Sequence, residues 1–206
     1  MKWAYGNGMQ TVAGQKIRDE LMTAPVNDRC PLCRQGAVRQ LDHFMPKSLF
    51  PSLCVDPLNL VPVCGECNLI KGNKSPDRAG NTLLHPYLDR ISHQRWLDAQ
   101  VVHDSGSVRL KFFVSPPTSW DSTLRARVEH HFTLFDLGHR YAVDANRVIC
   151  DVAHCLDQLR ARPGGAAIVR DYLQDEAETR LSQEPNSIEG VTYAALAADD
   201  HYCRGG

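Results

Sequence analysis

Two Cys-x-x-Cys pairs, 30 residues apart, constrain the fold of this 206-residue chain more than any other feature. The pairs are Cys30/Cys33 and Cys64/Cys67. Zn²⁺ prefers four tetrahedral ligands, and each Cys-x-x-Cys turn supplies two thiolates. Pro31 lies inside the first turn and Gly65 inside the second, and both residue types favour tight bends. We therefore predict a structural Zn²⁺ ion held by all four cysteines, which leaves no open coordination position for chemistry.

A disulfide framework is the alternative explanation of paired cysteines. The first residues, Met1, Lys2 and Trp3, do not begin a secretory signal, so we expect a reducing compartment, the cytoplasm, where metal-bound thiolates are more common than disulfides. No apolar run approaches the length that spans a membrane, and we therefore expect no membrane partner.

The segment between the pairs, residues 34–63, is longer than a simple zinc ribbon needs, so we expect it to carry functional residues. Alternation of apolar and polar residues over 37–41 predicts a short strand. That strand delivers Asp42 and His43 to its end, and Pro46 then breaks the pairing.

A second strand and a helix are predicted around the second cysteine pair. Asn59 opens the mostly apolar run 59–63, which is typical of a strand. The chain can be helical from Glu66 to about Asn73, with Gly72 close to the helix end.

This arrangement resembles the HNH endonuclease family, whose ββα-metal core has an Asp-His step on its first strand, an Asn opening the second, and an Asn or His on the helix. The matching residues here are Asp42, His43, Asn59 and Asn68. The resemblance covers residues 30–75 and includes the zinc pairs found in many members. Asn68 stands where some relatives, such as the colicin nucleases, carry His.

The residue types suit phosphodiester hydrolysis, which requires an activated water and a cation beside the phosphate. His43 is suited to be the general base, since an imidazole of ordinary pKa is largely neutral at physiological pH. Asp42 and Asn68 offer hard oxygen ligands for one Mg²⁺ or Mn²⁺. The resemblance implies that Asn59 orients the His43 loop through hydrogen bonds and does not touch the metal.

Two further residues are candidates for the same site. Lys71, one helical turn past Asn68, could face a substrate phosphate, or it could be a solvated helix end. His85 could add a metal ligand, because one carboxylate and one amide make a small ligand set; the alternative is an ordinary histidine in the turn 84–87.

We predict an α+β fold: a small zinc-stapled ββα-metal core with an N-terminal helix, a β-hairpin and a mainly helical C-terminal region. The expected segments are 1–29 for the N-terminal helical extension, 30–90 for the nuclease core, 91–117 for the hairpin extension and 118–206 for the helical C-terminal subdomain.

Hydrophobic periodicity places the elements outside the core. The predicted helices span 11–23, 124–135, 143–159, 168–181 and 192–198, and the predicted hairpin has strands at 101–103 and 108–112 with a turn at 104–107. His130 and His131 lie on one of these helices, where they must point in different directions.

Charge distribution says more about partners than the net charge of −1. Residues 29–78 hold seven basic and four acidic residues, whereas 164–200 hold two arginines and eight acidic residues. A basic core suits DNA, double-stranded in preference to single-stranded, and the acidic C-terminal region is expected to bind a regulatory protein partner and not to clamp DNA.

The function we predict is hydrolysis of DNA by a metal-dependent HNH endonuclease, leaving a 3′ hydroxyl and a 5′ phosphate as the resemblance implies. The size of the regions outside the nuclease core suggests an effector in prokaryotic defence or in a mobile element. Two alternatives stay open: an RNA-directed nuclease, and a non-catalytic zinc-stapled module that binds nucleic acid or protein.

Overall fold

The computed structural model describes residues 4–104 and 107–206, so the middle of the predicted hairpin turn lies outside the described residues. It combines helices with two antiparallel pairs of strands, which confirms the predicted α+β class. The strands are β1 (Gln40–His43), β2 (Leu60–Val63), β3 (Leu97–Asp104) and β4 (Ser107–Val114). The α-helices are α1 (Val12–Met22), α2 (Gly65–Lys71), α3 (Ser122–Leu134), α4 (Leu137–Arg160), α5 (Gly165–Leu181), α6 (Ile188–Ala198) and α7 (Asp200–Arg204).

The chain forms two compact units. The first comprises Met1–Arg90 and Ala126–Phe135, and the second comprises Ile91–Arg125 and Asp136–Gly206. In the described residues, no helix combines the length and apolarity needed to cross a lipid bilayer.

In the first unit, β1 and β2 pair antiparallel, with Asp42 opposite Val61 and His43 opposite Leu60. Every residue of β2 is buried, and α2 follows it after Cys64 alone. Cys64 caps α2, because its sulfur accepts a hydrogen bond from the Cys67 N–H at 3.4 Å. The cysteine pair therefore both ends the strand and starts the helix.

The predicted first strand is displaced along the chain. β1 begins at Gln40, three residues later than the alternation indicates, and continues through His43. Ala37 instead forms an isolated bridge with Arg29, and the Arg39 N–H bonds to the Val63 carbonyl at 2.9 Å. The strand ends after His43 because the loop that follows is bonded to Asn59 and not to β2.

Part of α3 belongs to the first unit and holds the segment after α2. The Arg127 guanidinium bonds to the Asp89 carboxylate, with Nη1 and Oδ1 2.8 Å apart, and to the main-chain oxygens of Thr82 and Leu83. These bonds hold residues 82–89, the segment that carries His85, against α3.

The second unit packs the β3–β4 hairpin against helices around its own core. The largest fully buried side chains there include Leu97, Tyr141, Leu156, Leu173 and Leu196. The helix predicted at 143–159 starts six residues earlier, after Asp136 adopts a left-handed φ of 49° that interrupts the helical run from α3. The short helix α7 was not predicted; Asp199 caps it by accepting from the Tyr202 N–H at 2.7 Å.

Candidate metal-dependent active site

The four cysteines of the two pairs meet in one buried cluster. Their sulfur atoms all lie within 4.8 Å of one another, and Cys33 Sγ is 3.9 Å from Cys64 Sγ. In a tetrahedral site with Zn–S bonds of about 2.3 Å, sulfur atoms lie about 3.8 Å apart. The cluster can therefore hold a structural Zn²⁺ ion, as the spacing predicts.

The electrostatics of the cluster also favour a bound cation. Hydrogen bonds from the thiols of Cys30 and Cys67 hold the pKa of Cys33 well below its usual range. The neighbouring Cys33 in turn raises the pKa of Cys30 to about 11. Four thiols this close cannot all ionise unless a positive ion shares their charge, which is the condition that a zinc site satisfies.

Two residues outside the Cys-x-x-Cys pairs shape this cluster. A Cβ added at Gly36 would come within 2.8 Å of Cys64 Sγ, so only glycine fits there without a shift. His131, on α3, hydrogen-bonds through Nε2 to the Leu32 carbonyl at 2.7 Å and is 4% exposed. Because a carbonyl only accepts, Nε2 carries the proton, and burial lowers the pKa of His131 to about 4. A neutral histidine therefore stabilises the turn between Cys30 and Cys33.

His43 ends β1 as a buried, neutral imidazole. Its Nε2 lies 3.1 Å from the Cys54 carbonyl oxygen, and the side chain is 7% exposed. Since the carbonyl accepts the bond, Nε2 carries the hydrogen and Nδ1 carries the basic lone pair. Burial also lowers the pKa of His43, which favours the neutral form that a general base needs.

Asn59 clamps the loop that follows His43. Its Oδ1 accepts from the Met45 N–H at 2.6 Å, while Nδ2 donates to the carbonyls of Met45 at 3.1 Å and Leu53 at 3.0 Å. The Asn59 carbonyl also accepts from the Phe44 N–H at 2.8 Å. Asn59 is 5% exposed, so its amide acts on the backbone around His43 and is turned away from solvent.

We expect Asn59→Ala to lower the free energy of unfolding by about 2–4 kcal/mol, because it leaves buried main-chain groups without partners. Thermal unfolding of the zinc-loaded protein measures the change. Asn73→Ala, at an exposed position of the same unit, is the matched control and should unfold like the wild type. An unchanged midpoint for Asn59→Ala would show that the amide is not a clamp.

Lys71 occupies a different position from the one predicted. It is 2% exposed, and its Nζ lies 2.8 Å from Asp42 Oδ2 and 2.7 Å from the His43 carbonyl oxygen. A solvated helix end is therefore wrong for this residue, because its ammonium group is buried and bonded within the protein. Lys71 links the strand that carries Asp42 to α2.

Asn68 lies three residues before Lys71 on α2, which puts the two on the same face of the helix. It is half-buried. In residues 4–104 and 107–206, no hydrogen bond joins its side chain to Asp42. Asn68 thus shares a helix face with Lys71, the residue that pairs with Asp42.

The geometry argues against His85 as a metal ligand. Its Nε2 bonds to the Leu58 carbonyl at 2.8 Å, and its Nδ1 accepts from the Tyr87 N–H at 3.3 Å. Both ring nitrogens are used, so no lone pair remains for a cation. His85 is 7% exposed and packs against Phe44, with ring centroids 4.4 Å apart, which makes it a structural support for the turn before Asn59.

The oxygen donors that could hold a hard divalent cation are the Asp42 carboxylate and the Asn68 amide. Asp42 is the one carboxylate at the end of β1, its side chain is 15% exposed, and it already has a cationic group beside it in Lys71. Asn68 adds a neutral oxygen. Such a small set suits Mg²⁺ or Mn²⁺, which keep several waters and accept substrate phosphate.

A cavity of about 340 Å³ opens next to this site. Phe44 and Met45, which follow His43, form part of its wall together with Lys71, Lys74 and His130.

The two adjacent histidines of α3 point in different directions, as the helical pattern predicts. His130 lines the cavity, whereas His131 bonds to the Leu32 carbonyl in the turn between Cys30 and Cys33. The role of His131 had no signal in the sequence, because its partner Leu32 is 99 residues away.

The chain is similar in sequence to a bacteriophage protein and to a bacterial protein. It is 27% identical over 203 residues to protein ea31 of Escherichia phage lambda, an alignment that covers 89% of this chain and 66% of ea31. It is 31% identical over 72 residues to the Septu protein PtuB of Bacillus thuringiensis, covering 32% of this chain and 27% of PtuB. The chain thus spans less than two thirds of the length of either relative. No protein-family model matches it, and no solved structure matches it.

Proposed function

We propose that this protein is a metal-dependent HNH endonuclease that hydrolyses phosphodiester bonds of DNA, and that β1, β2 and α2 are its ββα-metal core. One observation carries the proposal: His43, a buried histidine with its basic lone pair on Nδ1, directly follows the Asp42 carboxylate at the end of β1. The Asn59 clamp supports the same conclusion, because it holds the loop that follows His43 by its backbone.

His43 acts as the general base in this proposal. Its Nδ1 takes a proton from a water molecule, whose oxygen forms a bond to phosphorus as the bond from phosphorus to the 3′ oxygen breaks. The leaving oxygen takes up a proton from solvent. The products are a 3′ hydroxyl and a 5′ phosphate. The Cys54 carbonyl holds the neutral imidazole in the required tautomer before the proton transfer and accepts the same Nε2–H bond after it.

Asp42 and Asn68 would hold the Mg²⁺ or Mn²⁺ ion, which supplies neutralisation of charge at the phosphate when bound. Asn59 holds the loop and contributes no ligand. The four cysteines take no part in the reaction, because a zinc ion with four thiolate ligands has no position for water or substrate.

The setting we propose is a mobile element or prokaryotic defence. Its support is that one relative belongs to a bacteriophage and the other to a bacterium. A protein partner bound through the acidic C-terminal region remains part of the proposal. Finding a fully active monomer with no co-purifying protein would argue against that partner.

A substrate panel tests the activity and the choice of DNA. Zinc-loaded protein is incubated with supercoiled plasmid, linear double-stranded DNA, single-stranded DNA and RNA, with Mg²⁺ or Mn²⁺ and with no added divalent ion. We expect metal-dependent cleavage of DNA, with double-stranded substrates preferred. Cleavage of RNA alone would redirect the proposal to an RNA-directed nuclease, and binding without cleavage would support a non-catalytic module.

A further inference from the structure

The position of Lys71 has a consequence for the divalent ion. Its ammonium group is almost fully buried and bridges two groups of the candidate site, the Asp42 carboxylate and the His43 main-chain oxygen. A buried lysine is stable only when its charge is paired, and the Asp42 carboxylate supplies the compensating charge. The protein therefore carries a cation of its own beside the carboxylate that the proposed function assigns to the metal.

Two cations beside one carboxylate repel each other, and the effect is strong where the side chains are shielded from water. Asp42 has one negative charge, and Lys71 already neutralises it through Oδ2 at 2.8 Å. A divalent ion that binds Asp42 must either displace the ammonium group or tolerate it at close range. The cavity of about 340 Å³ that Lys71 lines offers room for the displaced ammonium group.

We propose that Lys71 is a positioning residue that competes with the divalent ion for Asp42 and sets its affinity. Without metal, Lys71 holds the carboxylate and the His43 main chain in place. A substrate phosphate brings negative charge to the same region, so metal and substrate should bind cooperatively. The inference rests on the proposed function for the identity of the metal ligands.

Direct binding of Mn²⁺ to the zinc-loaded protein, followed by electron paramagnetic resonance, tests the inference without relying on catalysis. The variants are Lys71→Met, which removes the charge and keeps the volume, and Lys71→Gln, which keeps a donor for the His43 carbonyl. Asp42→Asn is the matched control for the ligand. Mn²⁺ is a hard ion and should leave the four-cysteine site untouched.

We expect the Kd for Mn²⁺ to fall about tenfold or more in Lys71→Met and Lys71→Gln, because a neighbouring positive charge is removed. In Asp42→Asn the Kd should rise by at least as much. Tighter binding is the decisive result, since a lysine needed only for folding would leave the affinity unchanged or weaken it. Zinc content and circular dichroism show which variants are folded. If Lys71→Met does not fold, Lys71→Gln still provides the test.

An unchanged or higher Kd in a folded Lys71 variant would overturn the inference, as would the absence of Mn²⁺ binding in every variant. Failure of the proposed function has a different signature. In that case the Kd for Mn²⁺ would change as expected in the variants, but the wild type would cut no nucleic acid. A wild type that cuts DNA, with an unchanged Kd for Mn²⁺ in folded Lys71→Met, would refute the inference alone.

Discussion

Cys67→Ser is expected to lose the zinc ion and the ordered structure of the first unit. Structural zinc contributes apparent binding free energies of about 10–16 kcal/mol, which exceeds the stability of most small domains. The cysteines lie at the end of β2, in the first turn of α2 and at both ends of the turn around Leu32, so loss of the ion removes the link that joins these three elements. Hydrogen exchange measured by mass spectrometry should show lost protection across residues 30–71.

The second unit supplies the internal reference for that experiment. Its core is built from side chains of β3, β4 and the helices α4, α5 and α6, so protection in α4 and α5 should be retained. Cys150→Ser, at an exposed position of α4, is the matched control and should keep one zinc ion per chain. Full zinc content and normal protection in Cys67→Ser would contradict a structural role for the cluster.

His43→Ala is expected to lower the rate of the chemical step by about 10²–10⁴-fold, the usual contribution of a general base. The fold should be preserved, because the Asn59 clamp on the loop does not involve the imidazole. Single-turnover cleavage with saturating Mg²⁺ measures the step and separates it from binding. His93→Ala, at an exposed position, should cleave at the wild-type rate.

Retention of cleavage in zinc-loaded His43→Ala would remove His43 from the chemistry. A loss of cleavage accompanied by a loss of zinc would instead report unfolding, so zinc content is measured on the same preparation. Binding of DNA by the variant should remain within a few-fold of the wild type, since His43 is buried and its Nε2 bonds to a main-chain oxygen.

The features that could be predicted from the sequence depend on short, fixed spacings. The two cysteine pairs, the Asp42-His43 step and Asn59 can be identified because each lies a set number of residues from its neighbours. β2 and α2 follow from an apolar run and a glycine near the helix end. The start of β1 could not be placed, because the alternation over 37–41 begins at Ala37, which bridges Arg29 and not β2.

The roles of Lys71, His85 and His131 depend on contacts that no local pattern reveals. Lys71 reaches Asp42 across 29 residues of sequence, from helix to strand, and a lysine near a helix end is more often solvated. His85 uses both ring nitrogens within the fold, and its partner Leu58 is 27 residues away. Which atom of a histidine remains available follows from the packed structure and not from the residue type.

The most direct test of the account is cleavage of DNA by the zinc-loaded protein in H₂¹⁸O with Mg²⁺, with the product ends analysed by mass spectrometry. Attack by a water that His43 has deprotonated predicts one ¹⁸O in the new 5′ phosphate, a free 3′ hydroxyl, and about 10²–10⁴-fold slower formation of this product by His43→Ala. A product without ¹⁸O, or no product from a folded wild type that binds Mn²⁺, would contradict hydrolysis at this site.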